Sequence, residues 1–303
     1  MKLRSMAAAK VNLALFLGGT RPDGRHDLLT LFQSLSLADT LTLNVAVDLA
    51  APDQVSCPGV EGENLALSAL KGLRARGWKG PPVSIEIEKR IPIAAGMAGG
   101  SADAAATLRL ACAVEECDPK MVEALAATLG SDVPSQLRSG VCLGSGAGDV
   151  IEPLGALGEH AYVVIPASFG LATATVFQEA DRLGLGRSAA ELAALAQRLR
   201  ELMKSSAAPQ PPLDLLVNDL QAAALSLCPQ IEGRLEAALT AGADHALVSG
   251  SGPTVVGIWF GAAAATRAAA AAELLVRDYP GAVVAFPVGH EFGLAKPISS
   301  GDL

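Results

Sequence analysis

Aromatic side chains are scarce: the 303-residue chain has two tryptophans, two tyrosines and seven phenylalanines. That leaves little material for the stacking platforms that hold single-stranded nucleic acid. There is no long run of lysine or arginine, and the formal net charge is −8, so nucleic-acid binding is disfavoured. Five cysteines (Cys57, Cys112, Cys117, Cys142 and Cys228) contain no Cys-x2-Cys pair, and the four histidines stand apart. No zinc centre is expected, and the plain reading is free thiols in a reducing compartment. No stretch reaches the roughly 20 apolar residues of a membrane-spanning helix. The stretch from Met1 to Lys10 lacks the uninterrupted apolar segment of a secretory signal. A cytoplasmic protein with no membrane partner is expected.

Half of the residues are hydrophobic and 18% are charged, enough for a sizeable core. The length predicts two lobes. Apolar alternation and helical spacing follow one another irregularly, which predicts an α+β fold. Strands are expected over residues 6–17, from Arg25 through Leu37, over 41–47 and over 83–89. Helices are expected over 64–75, up to about Val114, and over 119–129. The texture changes near residue 155. Residues 1–155 and 156–295 are predicted to be separate lobes, with 296–303 a polar, disordered tail.

The stretch that organises the chain is residues 92–106, a small-residue loop containing Gly96, Gly99 and Gly100 that opens into an alanine-rich helix. Strand, glycine-rich loop and helix N-terminus in that order aim free N–H groups and the positive end of a helix dipole at one point. Such a point suits a phosphate. No Gly-Lys-Ser/Thr follows, so the loop is not a Walker motif. Lys10 and Asn12, two apart in a strand pattern, project from one face. Each further feature has a structural alternative. Lys10 could be a surface lysine, Asp132 the N-cap of a short helix through Val133-Pro134, and His26 a loop histidine. The segment Ser249-Gly250-Ser251-Gly252-Pro253 could be a plain hairpin turn.

Taken together these segments resemble the GHMP kinases, a family of small-molecule kinases. The resemblance rests on Ala9-Lys10-Val11-Asn12-Leu13, on Arg21-Pro22-Asp23-Gly24-Arg25-His26-Asp27-Leu28, on Ile91-Pro92 through Ala105, on Gly130-Ser131-Asp132-Val133-Pro134, on Asn218-Asp219-Leu220, and on Ser249 to Thr254. It implies a two-lobed fold, with an N-terminal ribosomal-S5-like lobe for nucleotide and catalysis and a C-terminal ferredoxin-like lobe for substrate. It implies ATP, with Mg²⁺ carried mainly by the nucleotide, and a substrate that is a cytidyl diphosphate sugar alcohol. Asp132 would be the base and Lys10 the charge stabiliser beside it. Asn12, Arg25, His26, Thr173 and Phe177 would contact the substrate. Asn64, Pro92, Gly96, Met97, Ala98, Gly99, Gly100, Ser101 and Ala102 would hold the nucleotide, with Ser249, Gly250, Ser251 and Gly252 as a supporting loop.

Three positions depart from the pattern. Arg25 stands for a tyrosine, Ala98 for a glycine and Asp27 for a glutamate. The first bears on nucleobase preference, the second on backbone strain if φ is positive there. Another small alcohol as acceptor, or a non-catalytic nucleotide-binding protein on the same fold, are the alternatives. The assembly is expected to be a monomer or homodimer.

Overall fold

The computed structural model describes residues 1–60, 62, 64–92 and 96–298. Residues 93–95 of the phosphate-loop segment and residues 299–303 of the polar tail lie outside them. Among the described residues the fold is mixed α and β, with two sheets.

Two long strands, β1 (Lys2–Thr20) and β2 (His26–Val45), form an antiparallel hairpin. The turn between them is closed by Gly24 at φ 79° and by Asp23, whose Oδ1 accepts the Arg25 N–H at 3.1 Å. Sequence patterning splits β2 in two near Asp39, yet the strand runs through. Asp39 is fully buried there, and its carboxylate is occupied by the Lys89 ammonium and the Arg90 and Ile91 N–H groups. A charged residue that reads as a breaker is instead an internal tie.

The first sheet continues with β3 (Gln54–Ser56), β4 (Val83–Glu88), β5 (Val141–Ser145) and β6 (Val150–Leu154). Sequence patterning did not mark β6, which carries Pro153 at the sheet edge, where a missing N–H is tolerated. On this sheet lie α1 (Leu65–Ala75), α2 (Gly99–Val114) and the single turn α4 (Val133–Gln136), with α3 (Pro119–Leu129) packed against these helices. Helix α2 packs on β1, and its Ala102, Ala104, Ala105 and Ala106 are all buried, so the small side chains let helix and strand approach closely.

After residue 155 come β7 (His160–Ile165), α5 (Thr173–Leu183), α6 (Ala189–Ser205), α7 (Gln221–Leu227), α8 (Gln230–Thr240), β8 (His245–Val248), β9 (Val255–Phe260), α9 (Ala264–Leu275) and β10 (Val283–Ala285). The four strands make an antiparallel sheet ordered β10-β7-β9-β8. The chain then returns to the first sheet. Lys296 and Pro297, at the start of the expected tail, form β11 and pair with Arg4 and Leu3 of β1. The disorder expected over 296–303 therefore does not apply to these two residues.

Two of the cysteines read as free thiols are joined: Cys112 near the end of α2 is bonded to Cys117. Cys57, Cys142 and Cys228 are free, and burial pushes the Cys142 thiol up to about 12.

Candidate active site

Lys10 and Asn12 face one way, and the strand that carries them is irregular on both sides. Register shifts fall between Ala8 and Lys10 and between Asn12 and Ala14. Bulges re-aim side chains, and these two bracket the pair. Lys10 is 4% exposed, and its ammonium donates to Asn12 Oδ1 at 2.7 Å and to the Gly96 carbonyl at 3.2 Å. The Asn12 amide donates in turn to Thr30 Oγ1 at 2.7 Å, and Thr30 donates to the Ala14 carbonyl. The surface-lysine alternative is excluded by this burial. The Asn12 orientation is fixed by bonds on both of its polar atoms.

Asp132 stands 3.8 Å from the Lys10 ammonium, with its side chain 35% exposed. It occupies the position before α4, where an aspartate ordinarily caps, but its side chain makes no capping bond. The turn is closed instead by Ser135, whose hydroxyl donates to the Asp132 carbonyl at 2.8 Å. The carboxylate is left free for another partner.

The described part of the phosphate loop meets the second glycine loop at close quarters. A Cβ added at Gly96, where φ is 71°, would lie 2.6 Å from the Ser249 carbonyl oxygen. One added at Gly250 would sit 3.4 Å from both the Lys10 ammonium and Asn12 Oδ1. Glycine is required at Gly96 because backbone passes backbone, and it is favoured at Gly250 by a φ of 58°. Ala98 adopts φ 56° and ψ 32°, the left-handed region, and precedes α2 without any side-chain cap. The first-turn N–H groups of Gly99, Gly100 and Ser101 therefore open a 16-residue helix whose N-cap residue supplies no side-chain bond to them. A helix N-terminus of this kind forms a cradle that suits an anion. Met97 is buried beneath it, and Ala102 begins the intrahelical bonds by donating to Ala98.

Behind the cradle lies a charged cluster that sequence reading missed. Lys89 donates to Asp103 at 2.8 Å and to Asp39, while Asp39 also takes the Arg90 and Ile91 N–H groups. Against the pull of burial, Asp103 and Asp39 hold the Lys89 ammonium above its ordinary value. Burial lifts Asp103 to about 7 in spite of Lys89, and the Asp39 carboxylate adds to the rise. The cluster ties the end of β4 to the second turn of α2, fixing the two ends of the phosphate loop.

A cavity of about 260 Å³ connects the Lys10–Asp132 pair with the second lobe, and Thr173, Phe177, Gly250 and Ser251 line its far side. Thr173 and Ser251 are bound hydroxyl to hydroxyl at 3.0 Å. His26 stacks at a tilt on Phe177, with ring centroids 5.1 Å apart. Its Nε2 lies 2.7 Å from Asp181 Oδ1, so this nitrogen carries the proton. Arg25 is drawn elsewhere, to Asp23 at 3.0 Å and Asp149 at 3.3 Å, and it does not line the cavity. Asn64 caps α1 through a 2.9 Å bond from the Ala66 N–H, and Pro92 ends the described strand-to-loop segment. Asn218 holds the glycine loop from below, donating to the Val248 and Gly250 carbonyls at 2.7 Å each. Its sequence signal is the resemblance of Asn218-Asp219-Leu220 to the family pattern, which gives it no role. Gly252 closes the loop by donating to the Ser249 carbonyl.

The family pattern of the GHMP kinases N terminal domain matches residues 64–141, and that of the GHMP kinases C terminal matches residues 190–275. A 4-diphosphocytidyl-2-C-methyl-D-erythritol kinase of Rhodococcus jostii is 41% identical over 270 residues, covering 87% of this chain and 86% of that protein. One from Streptomyces coelicolor is 42% identical over 261 residues, covering 84% and 86%. A crystal structure of 4-(cytidine 5'-diphospho)-2C-methyl-D-erythritol kinase superposes with a TM-score of 0.76 at 31% identity, covering 94% of this chain and all of the other.

Proposed function

The chain belongs to the GHMP kinases, and we propose that it transfers the γ-phosphoryl group of ATP to the 2-hydroxyl of 4-diphosphocytidyl-2-C-methyl-D-erythritol, in the non-mevalonate route to isoprenoid precursors. The observation that carries the reaction is the uncapped Asp132 carboxylate beside the buried Lys10 ammonium, in a cavity reached by the second lobe. The relatives, at about 40% identity over most of the chain, supply the acceptor.

Phosphoryl transfer asks for positioning, charge neutralisation and a group that takes the hydroxyl proton. The acceptor hydroxyl oxygen forms a bond to the γ-phosphorus as the bond to the bridging oxygen of ADP breaks, and the proton passes to Asp132. Lys10 offsets the charge spread over the transferring group. The cradle from Gly96 to Ala102 receives the ATP phosphates, with Asn64 and Pro92 on the nucleotide side. Mg²⁺ neutralises phosphate charge when bound. It fits as a passenger of the nucleotide, since Mg²⁺ keeps several waters and takes few protein ligands. Asn12, Thr173, His26 and Phe177 contact the acceptor, His26 and Phe177 at its base. Residues 1–155 act as the nucleotide and catalytic lobe, 156–295 as the substrate lobe.

A different small alcohol within the same family is a second reading, favoured by Arg25, which is held by two carboxylates away from the cavity. An ADP-release assay with the cytidyl substrate, its uridyl analogue and mevalonate-type alcohols separates the two. The proposal requires the cytidyl substrate to be turned over with the highest kcat/KM. Turnover of another alcohol in its place would favour the second reading, and ATP binding without ADP release from any alcohol would refute both.

A further inference from the structure

We propose that Asp181, a residue of α5 outside the lining of the catalytic cavity, sets the nucleobase preference of the acceptor site by fixing the tautomer of His26. The imidazole it holds presents a bare Nδ1, which accepts from an exocyclic amine and repels a carbonyl oxygen. This role rests on the cytidyl acceptor of the proposed reaction, and makes Asp181 the positioning residue that turns away a uridyl counterpart.

The pleat of β2 places His26 at the mouth of the cavity. Leu28, Thr30 and Phe32 all line the cavity, at alternate positions, as one face of a strand requires. His26 is the next position of that row, so its ring extends the cavity wall. Helix α5 meets it from the other side. Thr173, Phe177 and Asp181 stand at every fourth position, along one face of that helix. Thr173 and Phe177 line the cavity, and the third member of the stripe reaches His26. One ring is thus held by two residues of one helix. Phe177 packs on it with centroids 5.1 Å apart, and Asp181 Oδ1 stands 2.7 Å from its Nε2.

The two ring nitrogens are thereby made different. A carboxylate only accepts, so Nε2 carries the proton. Among the described residues no lysine or arginine forms an ion pair with Asp181, which leaves its carboxylate to His26. Thr20 Oγ1, 3.4 Å from the same nitrogen, is a weaker second neighbour. Nδ1 bonds to no described residue, yet it is not one of the unpaired polar atoms sealed from solvent, so a ligand can reach it. In the neutral ring this atom is an acceptor without a hydrogen. Cytosine offers an amino donor at its 4-position, whereas uracil, like thymine, offers an O4 acceptor whose lone pairs would face those of Nδ1. A ring free to exchange its tautomers would serve either base, by accepting from one or donating to the other. Asp181 removes that freedom from a position where it does not touch the base.

The test measures kcat/KM for the cytidyl substrate and its uridyl analogue with the full chain and with Asp181→Ala, at about pH 8.5, where an imidazole is ordinarily neutral. Asp181 is half-exposed on a helix, where alanine is the best helix former, so the variant keeps the fold. The parent should prefer the cytidyl substrate by at least about tenfold. Asp181→Ala should cut that ratio by about fivefold or more, through the KM of the acceptor and not that of ATP. The ratio cancels the loss of one negative charge, which acts on both acceptors alike. ¹⁵N NMR of the imidazole, assigned with His26→Gln, reads the tautomer without turnover. The parent should show a protonated Nε2 and a bare Nδ1, and Asp181→Ala a mixture of the two tautomers. A protonated Nδ1 in the parent, a parent indifferent to the base, or an unchanged ratio in Asp181→Ala would overturn the proposal. Turnover of neither acceptor by the parent would overturn the acceptor reading itself, and this role with it, whatever the imidazole shows.

Discussion

Lys10 and Asp132 come within 3.8 Å of each other from opposite ends of the first lobe, one on a bulged strand and one at the head of a single helical turn. Neither is spent on the fold in the way its local sequence allows: the lysine is not on the surface and the aspartate does not cap. Their pairing is the relationship from which the assignment of a phosphoryl-transfer site grows.

Lys10→Met should lower kcat by about 10²- to 10³-fold, the usual effect of removing one preorganised charge from a transition state. It should also destabilise the chain by about 1–3 kcal/mol, because Asn12 Oδ1 and the Gly96 carbonyl lose their donor. Steady-state kinetics and urea unfolding read the two effects separately.

Ala98 holds a left-handed conformation that costs an L-residue about 1–2 kcal/mol. Glycine there removes that cost but adds about 0.4–1 kcal/mol of freedom to the unfolded chain. Ala98→Gly should therefore stabilise the protein by about 0.5–1 kcal/mol, seen as a higher urea midpoint at constant m-value.

Gly96→Ala should do the reverse. Its Cβ would meet the Ser249 carbonyl at 2.6 Å, and neither backbone can yield without parting the two glycine loops. We expect a loss of about 2 kcal/mol or more in stability, together with a KM for ATP raised about tenfold, from thermal melts and ATP titrations of the rate.

Asp103 gives a pH signature. Its folded-state value of about 7 lies above the ordinary 3.8, so between those values the folded chain binds more protons than the unfolded one. Stability from this group is then greatest below the ordinary value and is lost as pH rises through about 7. Melting temperatures of Asp103→Asn should fall less steeply than the parent's between pH 4 and pH 7. An unchanged slope would mean that Asp103 is ionised throughout.

Much of this arrangement could be read from the residues. The helix after Asn64, the helix opening at Gly99 and the loop at Ser249 lie where spacing and glycine place them, since these are local signals. What could not be read depends on distant partners. Asp39 looks like a strand breaker until Lys89 and two N–H groups are brought to it from 50 residues or more away. Asp132 has the same cap propensity whether or not it caps, so only the geometry of the turn decides. Asp181 meets His26 across 155 positions of sequence, and Cys112 finds Cys117 because a helix end brings their Cα atoms to 5.2 Å. Arg25 is held by Asp23 and by Asp149, the latter 124 positions away in sequence.

The central claim is tested most directly by following ATP and 4-diphosphocytidyl-2-C-methyl-D-erythritol by ³¹P NMR with the parent chain and with Asp132→Asn. The parent should yield ADP and one new phosphomonoester at the 2-hydroxyl. The variant, with its fold intact because no capping bond is lost, should form the same product about 10²- to 10⁴-fold more slowly. Equal rates for the two proteins, or a parent that yields no phosphomonoester, would contradict the account.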